Sequence, residues 1–120
     1  MRDPTRGGVA TTLNEIAESS GLGITIDEIS LPISPKVKAA GELLGIDPLY
    51  IACEGCALLV TGAKEASSIL AMLKHRPQGR SARIVGEFNR EAKGRVVLET
   101  SYNTRRIIDM LSSDPLPRIC

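Results

Sequence analysis

Apolar residues along this chain follow two periods. Val9, Leu13, Ile16 and Ala17 recur at helical spacing and predict a first helix, with Gly21 placed to end it in the left-handed conformation. Ile24-Thr25-Ile26-Asp27 alternates and predicts a strand. Ser34-Pro35 reads as an N-cap followed by proline at the first helical position. Val37, Ala40, Leu43 and Leu44 supply the apolar face of that second helix, and Gly45 is its stop. Residues 47–52 read as a short turn or helical link, and residues 57–60 as a second strand broken by Gly62. Ala66, Ile69, Leu70 and Leu73 mark a third helix ending before Pro77. Residues 82–88 and 96–98 predict two more strands with a polar hairpin loop over 89–94. Asn103 or Thr104 is a cap for a last short helix carrying Ile107, Ile108 and Leu111. Residues 112–120 hold two prolines and no periodicity, and read as a flexible tail.

The order α-β-α-β-α-β-β-α-tail predicts an α+β domain, a mixed β-sheet packed with helices, over residues 1–111, followed by the tail 112–120. A length of 120 residues is one domain's worth and is enough to bury a core without disulfide staples. With 15 Lys+Arg against 14 Asp+Glu, no net field draws the chain toward nucleic acid or anionic lipid. The few aromatics, Tyr50, Phe88 and Tyr102, leave no stacking platform for single strands. No run approaches the roughly 20 apolar residues of a membrane span. Three cysteines is an odd number and no signal peptide precedes them, so a cytoplasmic, reducing setting is expected.

Four features carry candidate chemistry. Arg2-Asp3-Pro4-Thr5-Arg6-Gly7-Gly8 sets two arginines and two glycines before a helix, where free N–H groups and the helix dipole favour anions such as phosphate. The plain alternative is a capped helix start with glycines for tight turning. Cys53-Glu54-Gly55-Cys56 has redox or metal-ligand spacing, but it runs into a predicted strand rather than a helix. A structural zinc wants four ligands, and the chain offers three Cys and the single His75, so no metal is assigned and two small, half-buried thiols are the plain reading. His75, between Lys74 and Arg76, complements the end of a helix dipole and is assigned no chemistry. Glu54 is either a solvated turn residue or a general base. Cys120, the last residue, presents its thiol on a nine-residue arm that extends to roughly 30 Å. That reach suits a thiol carrying a group between sites; chain truncation at a cysteine is the plain alternative.

The opening segment 1–10, Asp47-Pro48-Leu49-Tyr50, Glu54-Gly55 and the terminal Pro117-Arg118-Ile119-Cys120 together resemble the HypE family of NiFe-hydrogenase maturation factors, in order and over essentially the whole chain. The resemblance is to the C-terminal domain of that family, which implies a fold like the C-terminal domain of aminoimidazole ribonucleotide synthetase (PurM-like). The family's N-terminal ATP-binding domain has no counterpart here, so an excised or truncated domain is expected. The resemblance also implies a reaction. A HypF-type carbamoyltransferase loads a carbamoyl group on Cys120, ATP activates its oxygen as a phosphate ester, and loss of phosphate and a proton leaves a thiocyanate. The cyanide passes to iron on a HypC-HypD scaffold.

On this basis Glu54 matches the acidic residue of the family's Asn-Glu-Gly segment and is the candidate base. Arg2, Asp3, Arg6, Gly7 and Gly8 are candidate neighbours of ATP, which the absent domain mainly holds. The sequence departs from the family where Cys53 replaces Asn and Cys56 replaces a basic residue. The family is a homodimer organised largely by its N-terminal domain, which leaves a monomer open for this chain. Without the ATP domain the chain is expected to be inactive by itself. A non-catalytic docking module and a small Cys-x-x-Cys zinc or redox domain remain alternatives.

Overall fold

A computed structural model describes residues 1–111. The expected tail, with Cys120, lies outside the described residues. Helix α1 spans Gly8–Ser20 and stops where the sequence places its end: Gly21 is left-handed at φ 69°, and its N–H donates to the carbonyls of Ala17 and Glu18. Strand β1, Gly23–Asp27, follows at once. Helix α2, Pro35–Leu44, opens on Ser34, whose side chain accepts from the Val37 N–H, and closes on left-handed Gly45. Helix α3 is Ala63–Lys74, and strands β2, β3 and β4 are Gly86–Asn89, Val96–Glu99 and Arg105–Ile108.

The four strands form one mixed sheet in the order β2-β1-β3-β4, with β1 and β3 parallel and the two outer pairs antiparallel. Alternation puts Ile24 and Ile26 of β1, Val96 and Leu98 of β3 and Ile108 of β4 on one face. Ala10, Leu13 and Ala17 of α1 and Leu49 cover that face, and together these residues make the core. Two alanines at the contact bring α1 close to the sheet. Asn14 fixes the helix there: its buried side-chain N–H donates to the Ala10 carbonyl at 2.9 Å and to the Ile108 carbonyl at 2.8 Å. A buried polar group paired in this way costs little and specifies one docking position.

Four local expectations are corrected. The last element is a strand, not a helix. Asn103, expected as a possible cap, sits at φ 58° in the turn of a β3–β4 hairpin, a conformation asparagine tolerates. The turn closes through the Thr100 N–H to the Thr104 carbonyl at 2.8 Å. Residues 57–60 form no strand; a single bridge pairs Leu58 with Arg2. Pro4, two residues on, has no N–H to extend the pairing.

The strands flanking 89–94 are not hairpin partners, because β1 lies between them. The loop crosses the start of β1 instead, with the Gly94 N–H on the Leu22 carbonyl at 3.1 Å and the Ile24 N–H on the Arg95 carbonyl at 3.0 Å. Finally, the apolar faces expected of α2 and α3 are not in the core. Leu43 is 87% exposed and Leu73 39%, and none of the residues of α3 is fully buried.

Candidate functional site

The site is built where the opening segment meets two neighbouring stretches, the turn Pro48–Tyr50 and residues 53–58. The opening segment runs beside residues 53–58. The Arg2 N–H donates to the Leu58 carbonyl at 2.9 Å, the Leu58 N–H returns to the Arg2 carbonyl at 2.7 Å, and the Cys53 N–H donates to the Pro4 carbonyl at 2.9 Å. Pro4 is fully buried and anchors the segment. Between those anchor points the chain bends at Glu54-Gly55, with Gly55 left-handed at φ 76°. Glu54 is exposed on the bend.

The opening segment then turns into α1 through Gly7 and Gly8, both left-handed, at φ 64° and 68°. Gly8 is buried against the backbone of residues 49–51; a Cβ there would lie 2.4 Å from the Leu49 carbonyl oxygen. No side chain caps α1, so its first-turn N–H groups have no side-chain acceptor from the cap. Arg2 reaches Glu15 on α1 at 2.6 Å, a half-exposed pair that contributes little to stability. Asp3 and Arg6 are exposed.

The third stretch is the 3-10 turn Pro48–Tyr50. Asp47 caps it by accepting from the Leu49 N–H at 3.0 Å, and its other oxygen takes the Arg106 guanidinium of β4 at 2.5 Å. Tyr50 donates its hydroxyl to the Asp109 carbonyl at 2.8 Å, just past β4. Burial first, then the Asp47 carboxylate, push the Tyr50 phenol above its ordinary pKa. These contacts tie the chain's exit from the sheet to the turn that leads into Cys53.

Cys53 and Cys56 are both half-buried free thiols. Cys53 donates to its neighbour's Glu54 carbonyl at 3.8 Å. The Cys56 thiol is pushed up, by burial first and then by the charge and hydrogen bond of Cys53. Among the described residues no three His, Cys, Asp or Glu side chains group to hold a metal ion, and no helix is long and apolar enough to cross a membrane.

The structure thus runs the opening segment beside residues 53–58 and packs Gly8 on residues 49–51, with Asp3, Arg6 and Glu54 exposed, while Cys120 lies outside the described residues. Sequence reasoning missed Pro4 as an anchor and the pairing of Tyr50 with Asp109; no local pattern marks a backbone carbonyl as the partner of a distant phenol.

Residues 1–99 match the family model described as AIR synthase related protein, C-terminal domain. The chain belongs to this family. The AIR synthase related C-terminal domain accounts for the mixed sheet and the three helices. Along all 120 residues the chain is 48% identical to a protein named carbamoyl dehydratase HypE from Cupriavidus necator, of which it spans 34%. A solved HypE-HypF complex contains a chain 44% identical, superposing with a TM-score of 0.85 over 92% of this chain and 35% of that one. A hydrogenase maturation protein HypE solved with ATP is 39% identical, with a TM-score of 0.83 over 95% of this chain and 36% of that one. The likeness to HypE read from the sequence motifs therefore runs the length of the domain. The chain spans about a third of the length of the curated relatives it matches.

Proposed function

We propose that this chain supplies the carrier thiol and the base of an ATP-dependent carbamoyl dehydratase in hydrogenase maturation. A HypF-type carbamoyltransferase transfers a carbamoyl group to Cys120, making a thiocarbamate. Dehydration removes the oxygen and both nitrogen protons and leaves a thiocyanate, whose cyanide passes to a HypC-HypD scaffold for iron. Thiols accept such groups readily and release them again.

The observation that carries this reading is the Tyr50–Asp109 hydrogen bond. It holds Asp109, just past strand β4, beside the turn that leads to Glu54. Nine residues of chain span at most roughly 30 Å when fully extended, and in this reading that reach serves to carry the Cys120 thiol between Glu54 and a partner. Glu54, exposed on its bend, takes a nitrogen proton. ATP supplies a phosphoryl group that makes the departing oxygen a good leaving group. The uncapped start of α1 at Gly7 and Gly8, with Arg6 beside it, suits the edge of an anionic phosphate. The nucleotide is held mainly by the part of the relatives' length that this chain does not span.

The test is mass spectrometry of the chain after incubation with the carbamoyltransferase, carbamoyl phosphate and ATP. A carbamoyl adduct on Cys120 is expected, and it is absent from Cys120→Ala. Equal labelling of that variant sinks the carrier role. No thiocyanate is expected from the chain alone.

The outward apolar residues of α2 and α3, Leu43, Leu44 and Met72, favour a second reading as a docking module. Under it, Cys120→Ala binds the carbamoyltransferase as the parent does while no adduct ever forms on the parent.

A further inference from the structure

The reaction proposed above uses neither Cys53 nor Cys56. Their segment is an anchored turn: Cys53 is held by its N–H on Pro4, and Leu58 is held by two hydrogen bonds to Arg2. Left-handed Gly55, with open space where a Cβ would be, bends the chain between them. Cys53 and Cys56 flank the bend at Glu54 and Gly55, three positions apart, the spacing at which a tight bend sets two Cα atoms within reach of a disulfide. The two thiols are close enough to influence each other: Cys53 adds to burial in pushing the Cys56 thiol up. Both are half-buried and so remain within reach of a small reagent. Two thiols fall short of the four ligands of a structural zinc, which leaves thiol chemistry as what the pair can do.

We infer that Cys53 and Cys56 form a reversible intramolecular disulfide by exchange with a low-molecular-weight disulfide. One thiolate attacks a sulfur of the small disulfide, giving a mixed disulfide and releasing one small thiolate. The other protein thiol gives its proton to solvent and attacks the protein sulfur of the mixed disulfide, which expels the second small thiolate. The protein pair loses two electrons and two protons, and the small disulfide is reduced to two thiols. Cys56, whose thiol burial and Cys53 push up, suits the second step. The anchors on Pro4 and Arg2 keep the frame in place, so the cross-link tightens only the bend that carries Glu54. Any effect on dehydration rests on the reading of Glu54 above; the disulfide itself does not.

The experiment equilibrates the full chain in glutathione buffers from reducing to oxidising, traps free thiols by alkylation and maps the peptides by mass spectrometry. A Cys53–Cys56 disulfide is expected at the oxidising end and is reversed by excess reduced glutathione. Cys53→Ser and Cys56→Ser each stop at a stable glutathione adduct on the remaining cysteine. An aryl arsenoxide, which condenses with two adjacent thiols, is expected to bind the parent at one equivalent and to be lost from both variants. The inference is overturned if both cysteines stay alkylatable in fully oxidising buffer. It is equally overturned if the parent keeps glutathione adducts, or if either cysteine pairs instead with Cys120. Cys120→Ala, which removes the proposed carrier, still forms the disulfide, so the two readings fail separately.

Discussion

Tyr50 donates its hydroxyl to the backbone carbonyl of Asp109 at 2.8 Å, across 59 residues of sequence. The contact joins the 3-10 turn before the Glu54 bend to the chain leaving strand β4. With the Asp47–Arg106 pair, it fixes strand β4 and Asp109 against that turn.

Tyr50→Phe removes that hydrogen bond and keeps the ring. A loss of about 1 kcal/mol is expected, a fall of about 4 °C in melting temperature. The pH dependence has a definite sign. Burial raises the folded-state pKa of Tyr50, so the phenol's contribution is complete below the ordinary tyrosine value of about 10 and is lost as pH rises through the raised value. Thermal melts from about pH 8 to about pH 11 should show a steeper alkaline decline for the parent than for the variant. Parallel curves would mean the hydroxyl is not buried at this contact.

Gly8 and Gly21 share a left-handed φ near 68° and differ in what surrounds them. Alanine at either position meets a backbone strain of about 1–2 kcal/mol. At Gly21 nothing lies within 4 Å of the added carbon, whereas at Gly8 it would sit 2.4 Å from the Leu49 carbonyl oxygen and 2.7 Å from that of Ile51. Gly8→Ala is therefore expected to cost about 1–3 kcal/mol more than Gly21→Ala. Urea midpoints measure the difference, and equal midpoints would contradict the packing of α1 on the 3-10 turn.

Asp27 ends β1 and caps the following 3-10 turn. Its carboxylate accepts from the Ser30 hydroxyl at 2.5 Å and from the Ile29 N–H at 3.1 Å. The Ser30 bond first, then the Ile29 bond, hold its pKa below the ordinary aspartate value. The stabilisation is present above that ordinary value, about 4, and is lost as pH falls through the lowered one. Asp27→Asn keeps the cap and abolishes the titration. Its melting temperature should fall less than the parent's between about pH 5 and about pH 2.

Helix α1 was fully legible because its signals are local: an apolar period, glycines before it and Gly21 behind it. Strand β1 was legible for the same reason, since Ile24 and Ile26 flank an outward Thr25. The end of the domain was misread because Ile107, Ile108 and Leu111 suit a helical period as well as a strand. Only pairing with β3, where Val96 faces Ile108, decides between them. The candidate site was legible as separate pieces, Arg2 to Gly8 and Glu54, through the family resemblance. Their meeting was not, because it runs through backbone groups every residue possesses, such as the Pro4 carbonyl and the Cys53 N–H.

By itself the sequence determined the helices α1, α2 and α3, the central strand, a mixed α+β class and a candidate thiol at Cys120. Helix periods and caps act within a few residues, so neighbouring residues suffice to specify them. The tertiary structure alone decided that β1 lies between β2 and β3, that Leu43 of α2 and Leu73 of α3 stay out of the core, and that Tyr50 meets Asp109. These choices depend on burying one shared face of Ile26, Leu98 and Ile108 under α1, and no short stretch of chain contains that free energy.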